Sequence, residues 1–151
     1  MIALIQRVKR AFVEVEGERI AETGLGALIF VCAQKGDTLD EAKRLANRCA
    51  AYRVFADDAG RMNKSLLDKG YEALVVSQFT LAADTSHGLR PGFEPAAAPE
   101  LALSCYETFI EALRETGCPV SCGRFGADMA VSLINDGPAT FWLEIRPKTT
   151  N

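Results

Sequence analysis

The stretch Ala73-Leu74-Val75-Val76-Ser77-Gln78-Phe79-Thr80 decides the fold, because four apolar residues in succession pass directly into a more polar segment. A short apolar run of this kind predicts a strand that is buried on both faces of a sheet. A second such run, Ala27-Leu28-Ile29-Phe30-Val31-Cys32, lies upstream. The two runs therefore predict two buried strands around which the rest of the fold is arranged.

Helical periodicity occupies the chain between and after these strands. The first helix has apolar residues at positions i, i+3, i+4, i+7 and i+8, namely Ala42, Leu45, Ala46, Cys49 and Ala50. Asp37 or Thr38 is its expected N-cap. The second helix carries the apolar stripe Ala102, Cys105, Tyr106, Phe109, Ile110 and Leu113. Pro99 predicts its start, and Gly117 and Pro119 predict its end.

The remaining strands come first and last in the chain. Residues 12–16 alternate apolar and polar side chains, and Gly17 turns the chain towards residues 19–21. Three short strand-like pieces follow the second helix, around residues 120–125, 129–134 and 140–145. This order predicts one α/β domain over residues 1–151, with a mixed β-sheet and helices packed on one side in a layered α/β/β arrangement.

Composition describes a globular chain with a slight acidic balance. Of its 151 residues 48% are apolar, and 17 Lys and Arg against 20 Asp and Glu leave a net charge of −3. This charge argues against a protein that coats DNA or RNA, whose domains are normally strongly basic. Five cysteines without a CxxC pair predict reduced thiols in the cytoplasm. Charge appears as early as Arg7, and the longest uncharged stretches fall well short of the ~20 residues that span a bilayer, so neither a signal peptide nor a membrane is expected.

Common catalytic and cofactor motifs are missing from the sequence. His87 is the only histidine, and the composition of residues 84–91 predicts an exposed loop around it. The sequence has no clustered metal ligands and neither a GxxxxGK[ST] nor a GxGxxG loop. We therefore expect no metal and no cofactor.

Two polar segments interrupt apolar strands. Ser77, Gln78, Phe79 and Thr80 follow a buried strand, where polar side chains and free backbone N–H groups can meet a ligand. The alternative is a strand that simply becomes half-exposed. Asn135-Asp136-Gly137-Pro138-Ala139-Thr140 has turn chemistry, and its Gly-Pro bond can be cis at modest cost. It is either a plain hairpin turn between the last two strands or a rigid turn whose backbone carbonyls enter a neighbouring pocket.

Both segments resemble signatures of the D-aminoacyl-tRNA deacylase family. The first signature is matched by Ser77-Gln78-Phe79-Thr80, followed by Ala83-Asp84-Thr85, Gly88 and Arg90-Pro91. The second is matched by Gly123-Arg124-Phe125-Gly126-Ala127-Asp128-Met129, Asn135-Asp136-Gly137-Pro138 and Thr140. Flanking matches are Gln6-Arg7-Val8 and Arg61-Met62-Asn63-Lys64-Ser65-Leu66. The likeness runs in order through nearly the whole chain.

The resemblance implies a metal-free esterase that edits tRNA. Its substrate is the ester between a D-amino acid, or glycine, and the 3′ ribose of a tRNA, so the partner is the acceptor end of aminoacyl-tRNA and not DNA. The resemblance also implies a homodimer whose active sites lie at the subunit interface. Gly137 and Pro138 then form a cis turn that enters the partner's pocket as a chiral filter, and Arg7 helps to hold it. The implied pocket residues are Ser77, Gln78, Phe79 and Thr80, with Phe125 and Met129 as walls for the terminal adenosine.

Two mechanisms are compatible with these residues. Ester hydrolysis needs a positioned water and donors for a tetrahedral oxyanion, and backbone N–H groups near Phe79 are the expected donors. Thr80 as a nucleophile would be an unassisted hydroxyl with no base nearby in the sequence. We favour the alternative, in which the 2′-OH of the terminal ribose orients or activates the water.

Two other classes of function stay open from the sequence alone. A non-catalytic RNA-binding module of the same fold would bind charged tRNA without hydrolysing it. A thiol-dependent hydrolase would use Cys118 or Cys122, although their position near a helix end favours structural thiols. The chain departs from the usual residues of the family at Ala139, His87 and Leu89, where a larger β-branched residue, Lys and Asn are typical.

Overall fold

The computed structural model describes residues 1–149, in which eight strands, three α-helices and one 3₁₀ helix follow one another. The strands are β1 (Ile2–Val15), β2 (Glu18–Thr23), β3 (Gly26–Cys32), β4 (Phe55–Ala56), β5 (Met62–Lys64), β6 (Glu72–Ser77), β7 (Val120–Cys122) and β8 (Ala130–Glu144). The helices are α1 (Leu39–Ala51), α2 (Leu66–Lys69) and α3 (Pro99–Glu115), and the 3₁₀ helix is Phe79–Ala82.

Six of the strands form one mixed sheet, as the sequence predicts. Strands β2, β1, β3, β6 and β7 lie side by side in that order, and β8 also pairs with β1. Strand β1 is antiparallel to β2, β3 and β8, whereas β3, β6 and β7 run parallel to one another. The apolar runs at residues 27–32 and 73–76 therefore lie in adjacent parallel strands near the centre of the sheet.

The long strand β1 belongs to two layers. Its first half pairs with β3 from Ile2 to Val8, and from Ala11 onwards it pairs with β2 instead. Its second half, with β2 and the start of β8, covers Leu28 and Leu74 on one face of the central strands. Helices α1 and α3 cover the opposite face, so the layered α/β/β arrangement is confirmed.

The two long helices begin where the local chemistry predicts. Thr38 is the N-cap of α1 and forms a capping box with Glu41, which satisfies donors that a helix start leaves free. Asp37, the other candidate cap, instead pairs with the buried Met1 ammonium at 2.9 Å and accepts a hydrogen bond from the Gln34 N–H. Helix α3 starts at Pro99, whose missing N–H costs nothing in the first turn.

The prediction of three strands after α3 is wrong in one respect. Residues 129–134 and 140–145 fall essentially in one strand, β8, whose two halves both pair with β1. Gln6 pairs with Thr140 and Val8 pairs with Asn135, so residues 136–139 leave the ladder as a bulge. The segment has turn chemistry, but it is not a hairpin because the chain keeps its direction. Pro138 suits this position since it has no N–H to give to a ladder.

Candidate functional site

A cavity of about 620 Å³ opens where β3 and β6 end, between α3 and residues 125–129. It is bounded mainly by apolar side chains, with a few polar groups from the strand ends. Its lining includes Cys32, Ser77, Gln78, Phe79, Tyr106, Phe125 and Met129. A concave, largely apolar site with few polar groups is the usual form of a small-ligand pocket.

The chain changes direction at the mouth of this cavity. Strand β6 ends at Ser77, and the Gln78 N–H donates to the Val31 carbonyl at 2.8 Å, which holds the strand end against β3. The 3₁₀ helix begins at Phe79, and its first turn closes when the Leu81 N–H donates to the Gln78 carbonyl. The N–H groups of Phe79 and Thr80 precede that bond, as at any helix start, and so have no acceptor within the turn.

The side chains around this turn are held by two further contacts. Gln78 donates its Nε2 to the Thr80 hydroxyl, which is exposed at the mouth and is not part of the cavity lining. The Cys32 thiol donates to the Phe79 carbonyl at 3.4 Å. Burial raises the pKa of Cys32 to about 11, so the thiol stays protonated and acts as a donor.

Tyr106 of α3 joins the wall of the cavity to the sheet. Its hydroxyl contacts the Gly123 carbonyl at 3.0 Å and the Val75 carbonyl at 3.2 Å, and burial raises its pKa. Its ring lies 5.9 Å from that of Phe125. Met129 packs directly over Gly123, since a Cβ added there would lie 2.7 Å from the Met129 Sδ. Phe125 and Met129, two of the predicted site residues, therefore share a wall of the cavity.

The Gly137-Pro138 segment lies apart from the cavity of its own chain. The peptide bond is cis, both residues are exposed, and neither lines the cavity. The Arg7 Nε donates to the Asp136 carbonyl at 2.9 Å, and its Nη1 donates to the Val54 carbonyl at 2.8 Å. The structure thus brings Arg7 to this turn, but within one chain it does not bring the turn to residues 77–80.

The structure adds cavity residues that the sequence did not single out as site residues, notably Cys32, Phe93 and Tyr106. Cys32 and Tyr106 belong to apolar patterns that predict core, and this is where most of each side chain lies. Only the thiol of Cys32 and the hydroxyl of Tyr106 distinguish these residues from purely apolar core residues. Long-range packing determines which groups the thiol and the hydroxyl contact. Phe93 follows the Pro91-Gly92 loop and carries no local signal.

Comparison with known proteins decides the family. The profile of the family described as D-Tyr-tRNA(Tyr) deacylase matches residues 4–144. A D-aminoacyl-tRNA deacylase of Herminiimonas arsenicoxydans is 54% identical over 147 residues, which cover 97% of this chain and 99% of the relative. That of Dinoroseobacter shibae is 58% identical over 144 residues, which cover 95% of this chain and 99% of the relative. The chain belongs to the D-aminoacyl-tRNA deacylase family.

Solved structures share the fold of this deacylase. A protein named c-Myc DNA Unwinding Element Binding Protein is 41% identical, with a TM-score of 0.92 over 97% of this chain and 100% of the other. A probable eukaryotic D-amino acid tRNA deacylase is only 15% identical, with a TM-score of 0.80 over 95% of this chain and 98% of the other. The second comparison shows the fold alone.

Other groups that the sequence raised as candidates lie outside the cavity of the deacylase. His87 is exposed in its loop, as predicted. Cys118 is buried, and burial raises its pKa to about 11, which makes it a poor nucleophile. Within residues 1–149, no group of three or more His, Cys, Asp or Glu side chains is placed to hold a metal ion. No helix in that range is long and apolar enough to cross a membrane.

Proposed function

We propose that this D-aminoacyl-tRNA deacylase hydrolyses the ester between a D-amino acid, or glycine, and the 3′ ribose of tRNA, and spares the L-aminoacyl ester. The observation that carries the proposal is that Ser77, Gln78 and Phe79 of the first signature line the 620 Å³ cavity. A cavity of this size accommodates one ligand of a few hundred cubic ångströms, such as a terminal nucleoside with its aminoacyl group. The partner is then the acceptor end of aminoacyl-tRNA, in the cytoplasm, and no cofactor takes part.

The chemistry centres on the backbone at the end of β6. The N–H groups of Phe79 and Thr80 are free of the first helical turn, and they are the proposed donors to the oxyanion of the tetrahedral intermediate. Removing one donor of this kind typically costs about 10²–10³ in rate. The Cys32 thiol donates a hydrogen bond to the Phe79 carbonyl, which helps to orient the same peptide segment.

Proton transfer is assigned to the substrate. The Thr80 hydroxyl accepts a hydrogen bond from the Gln78 amide, which is a donor there and cannot take the proton of a nucleophile. An unassisted hydroxyl attacks esters poorly. We therefore assign the activation of the attacking water to the 2′-OH of the terminal ribose, and a positioning role to Thr80.

The chiral filter is assigned to a second copy of the chain. Gly137 and Pro138 are exposed and lie away from the cavity of their own chain. The bulge is held by the Arg7 guanidinium, which donates to the Asp136 carbonyl, and by the Asn135 amide, which donates to the Ala139 carbonyl. Large apolar side chains on β8, Ile134 and Trp142, are also exposed on either side of the bulge. A two-fold homodimer through this face would donate the same turn in both directions and complete two sites.

Selectivity follows from such a turn. Backbone carbonyl oxygens of the inserted segment would grip the α-amino group of the substrate, so that an L side chain collides with the wall and a D side chain points to solvent. A site that rejects its competitor by collision needs no contact with the D side chain, so many D-amino acids are accepted. Glycine enters as well because it has no side chain to reject.

The decisive experiment compares matched substrates. Purified protein is incubated with D- and L-aminoacyl-tRNA carrying the same amino acid, in buffer with EDTA, and the release of amino acid is followed over time. We expect release from the D-ester with the L-ester spared and no loss of rate in EDTA. Equal release from both esters, or release from neither, would refute the proposal.

The rival function is a non-catalytic nucleic-acid-binding module of the same fold. The 41% identical relative is named for binding a DNA element, which makes DNA a second polymer to test beside RNA. Gel-shift titration with charged tRNA and with double- and single-stranded DNA, in parallel with the release assay, separates the two functions. Binding without turnover would favour the rival. Turnover together with weak, salt-sensitive binding would favour the deacylase, because an enzyme that holds only the acceptor end makes few phosphate contacts.

A further inference from the structure

An exposed aromatic pair stands at the mouth of the cavity. The rings of Phe79 and Phe93 are 5.1 Å apart with an interplanar angle of 67°, and both residues line the cavity. Phe79 is 55% exposed and Phe93 is 42% exposed, so the two neighbouring rings form an accessible apolar patch at the mouth. The proposed chemistry uses only the backbone of Phe79 and has no use for either ring.

The loop that carries Phe93 is fixed on both sides. Before it, Asp84 and Gly92 exchange two backbone hydrogen bonds, at 2.7 and 2.9 Å. After it, the Ala96 N–H donates to the Phe93 carbonyl, and Ala97 is tied to the end of β3 through the Ala33 carbonyl. The ring is therefore presented by an ordered backbone, which lowers the entropic cost of binding a flat ligand.

If the substrate binds in the cavity as proposed, the rest of the tRNA leaves the cavity past this exposed pair. If the terminal nucleoside and its aminoacyl group fill the cavity, the preceding nucleotide is held by one phosphodiester link and comes to rest at the mouth. Exposed aromatic rings stack on nucleobases of any sequence, because every base has a π-face. Arg90, three residues before Phe93, is exposed and makes no ion pair within residues 1–149, so it is available to a backbone phosphate.

We propose that Phe79 and Phe93 form a stacking subsite for the nucleotide that precedes the terminal adenosine of the tRNA. This subsite rests on the proposed deacylase function and deepens it, since it explains how the enzyme grips a single-stranded end with few cations. It contributes binding of the polymer and leaves the chemistry at the ester unchanged. A substrate that lacks the preceding nucleotide should therefore be affected much less than the tRNA when the ring of Phe93 is removed.

The test uses two substrates and three variants. Wild type, Phe93→Ala, Phe93→Trp and Leu67→Ala are assayed on D-aminoacyl-tRNA and on the same D-amino acid esterified to adenosine alone. Leu67 is a matched control, since it is 41% exposed on α2, outside the cavity. We expect Phe93→Ala to raise KM for the tRNA roughly 10- to 100-fold more than KM for aminoacyl-adenosine, the effect of losing one stacked base that only the tRNA carries. Phe93→Trp and Leu67→Ala should behave as wild type on both substrates.

Each other outcome overturns the proposal in a distinguishable way. A wild type that releases the D-amino acid from neither substrate refutes the deacylase function and the subsite with it. An active wild type whose Phe93→Ala variant loses equally on both substrates assigns the ring to the terminal nucleoside or to the D side chain. If Phe93→Ala loses activity equally on both substrates and also sediments with a lower mass than the wild-type dimer, the aromatic pair belongs to the subunit interface. No loss on either substrate shows that nothing stacks there.

Discussion

The hydroxyl of Tyr106 lies 3.0 Å from the carbonyl oxygen of Gly123 and 3.2 Å from that of Val75, so one side chain of α3 bridges β6 and the residue that follows β7. The Gly123 N–H also donates to the Val75 carbonyl at 2.9 Å. Val75 lies two residues before Ser77, and Gly123 begins the segment that leads to Met129. The buried Tyr106 hydroxyl therefore connects two walls of the cavity, the end of β6 and the segment that leads to Met129.

Tyr106→Phe should loosen one wall of the cavity without stopping the chemistry. The Val75 carbonyl keeps its bond to the Gly123 N–H, but the Gly123 carbonyl loses a buried donor, at a cost of about 1–2 kcal/mol in unfolding free energy. We expect KM for D-aminoacyl-tRNA to rise several-fold while kcat stays near the wild-type value. Urea unfolding and steady-state kinetics measure the two effects. Tyr52→Phe, whose ring packs on Phe141, is the control; a lowered kcat would place Tyr106 in the chemistry instead.

Gly26→Ala should destabilise the centre of the sheet. Gly26 is the first residue of β3 and lies opposite Glu72 of β6, and a Cβ added there would overlap the Glu72 carbonyl oxygen. Backbone cannot move aside as a flexible side chain can, so we expect a loss of about 3 kcal/mol in unfolding free energy. Gly24→Ala is the matched control, because nothing lies within 4 Å of its added Cβ. A shift in urea midpoint that is the same for both variants would contradict this account.

The parts of the fold that the sequence predicts depend on local signals. The short apolar run at residues 73–76, with two valines in succession, favours a buried strand over a helix. Thr38 and Pro99 are helix starts by their own chemistry. The bulge at residues 136–139 depends on pairing between β8 and the distant β1, which turn chemistry does not report. Strands β4 and β5 and helix α2 are too short to produce a period.

The residues of the candidate site likewise fall into those that follow from a local sequence signal and those whose position depends on long-range packing. The strand end before Ser77, Gln78 and Phe79 can be found from a polar segment after an apolar run, because a strand end is a local feature. The same pattern also fits a strand that becomes half-exposed, and only the resemblance to the family singles these residues out. Tyr106 cannot be found from a local signal, because its helical stripe predicts core, and the packing of α3 on the sheet determines which carbonyls its hydroxyl meets. The position of Gly137 and Pro138 relative to a partner's cavity lies beyond one chain and stays a prediction.

Glu41 makes the stability of α1 depend on pH in the acidic range. Burial alone would raise the pKa of its carboxyl, but hydrogen bonds from the Thr38 hydroxyl and N–H and from Arg44 lower the pKa to about 2. A carboxyl with a lowered pKa stabilises the fold above its unfolded value of 4.5, and this stabilisation is lost as the pH falls towards 2. Glu41→Gln should therefore cost about 1–3 kcal/mol in unfolding free energy at pH 7. The difference from wild type should shrink between pH 4.5 and 2 in urea titrations.

The control for Glu41 is its neighbour Asp40, which also pairs with Arg44 but has an exposed carboxylate. Exposed pairs contribute little, so Asp40→Asn should cost less than about 0.5 kcal/mol at pH 7. Equal effects of the two substitutions, or a Glu41→Gln difference that does not change with pH, would show that the capping box is not the source of the acid dependence.

Arg7→Lys should weaken chiral discrimination more than folding. The guanidinium donates to the carbonyls of both Asp136 and Val54, and a lysine ammonium on a flexible stem cannot reproduce this fixed fork. A looser bulge would place the carbonyls of Gly137 and Pro138 less accurately, so we expect the D-to-L ratio of kcat/KM to fall about tenfold. Arg10→Lys, at an exposed position of the same strand, is the control. Unchanged discrimination in Arg7→Lys would remove this turn from the chiral filter.

Thr80→Ala separates the two routes of ester hydrolysis. If the 2′-OH of the terminal ribose activates the water, loss of the Thr80 hydroxyl removes only a positioning contact, and kcat should fall less than about tenfold. On a substrate with a 2′-deoxy terminal adenosine, kcat of the wild type should then fall far more than kcat falls on the normal substrate when Thr80 is replaced by Ala. Thr80→Ser, which keeps the hydroxyl, should retain the wild-type rate. A fall of about 10³-fold or more in Thr80→Ala, with activity kept on the 2′-deoxy substrate, would instead make Thr80 the nucleophile.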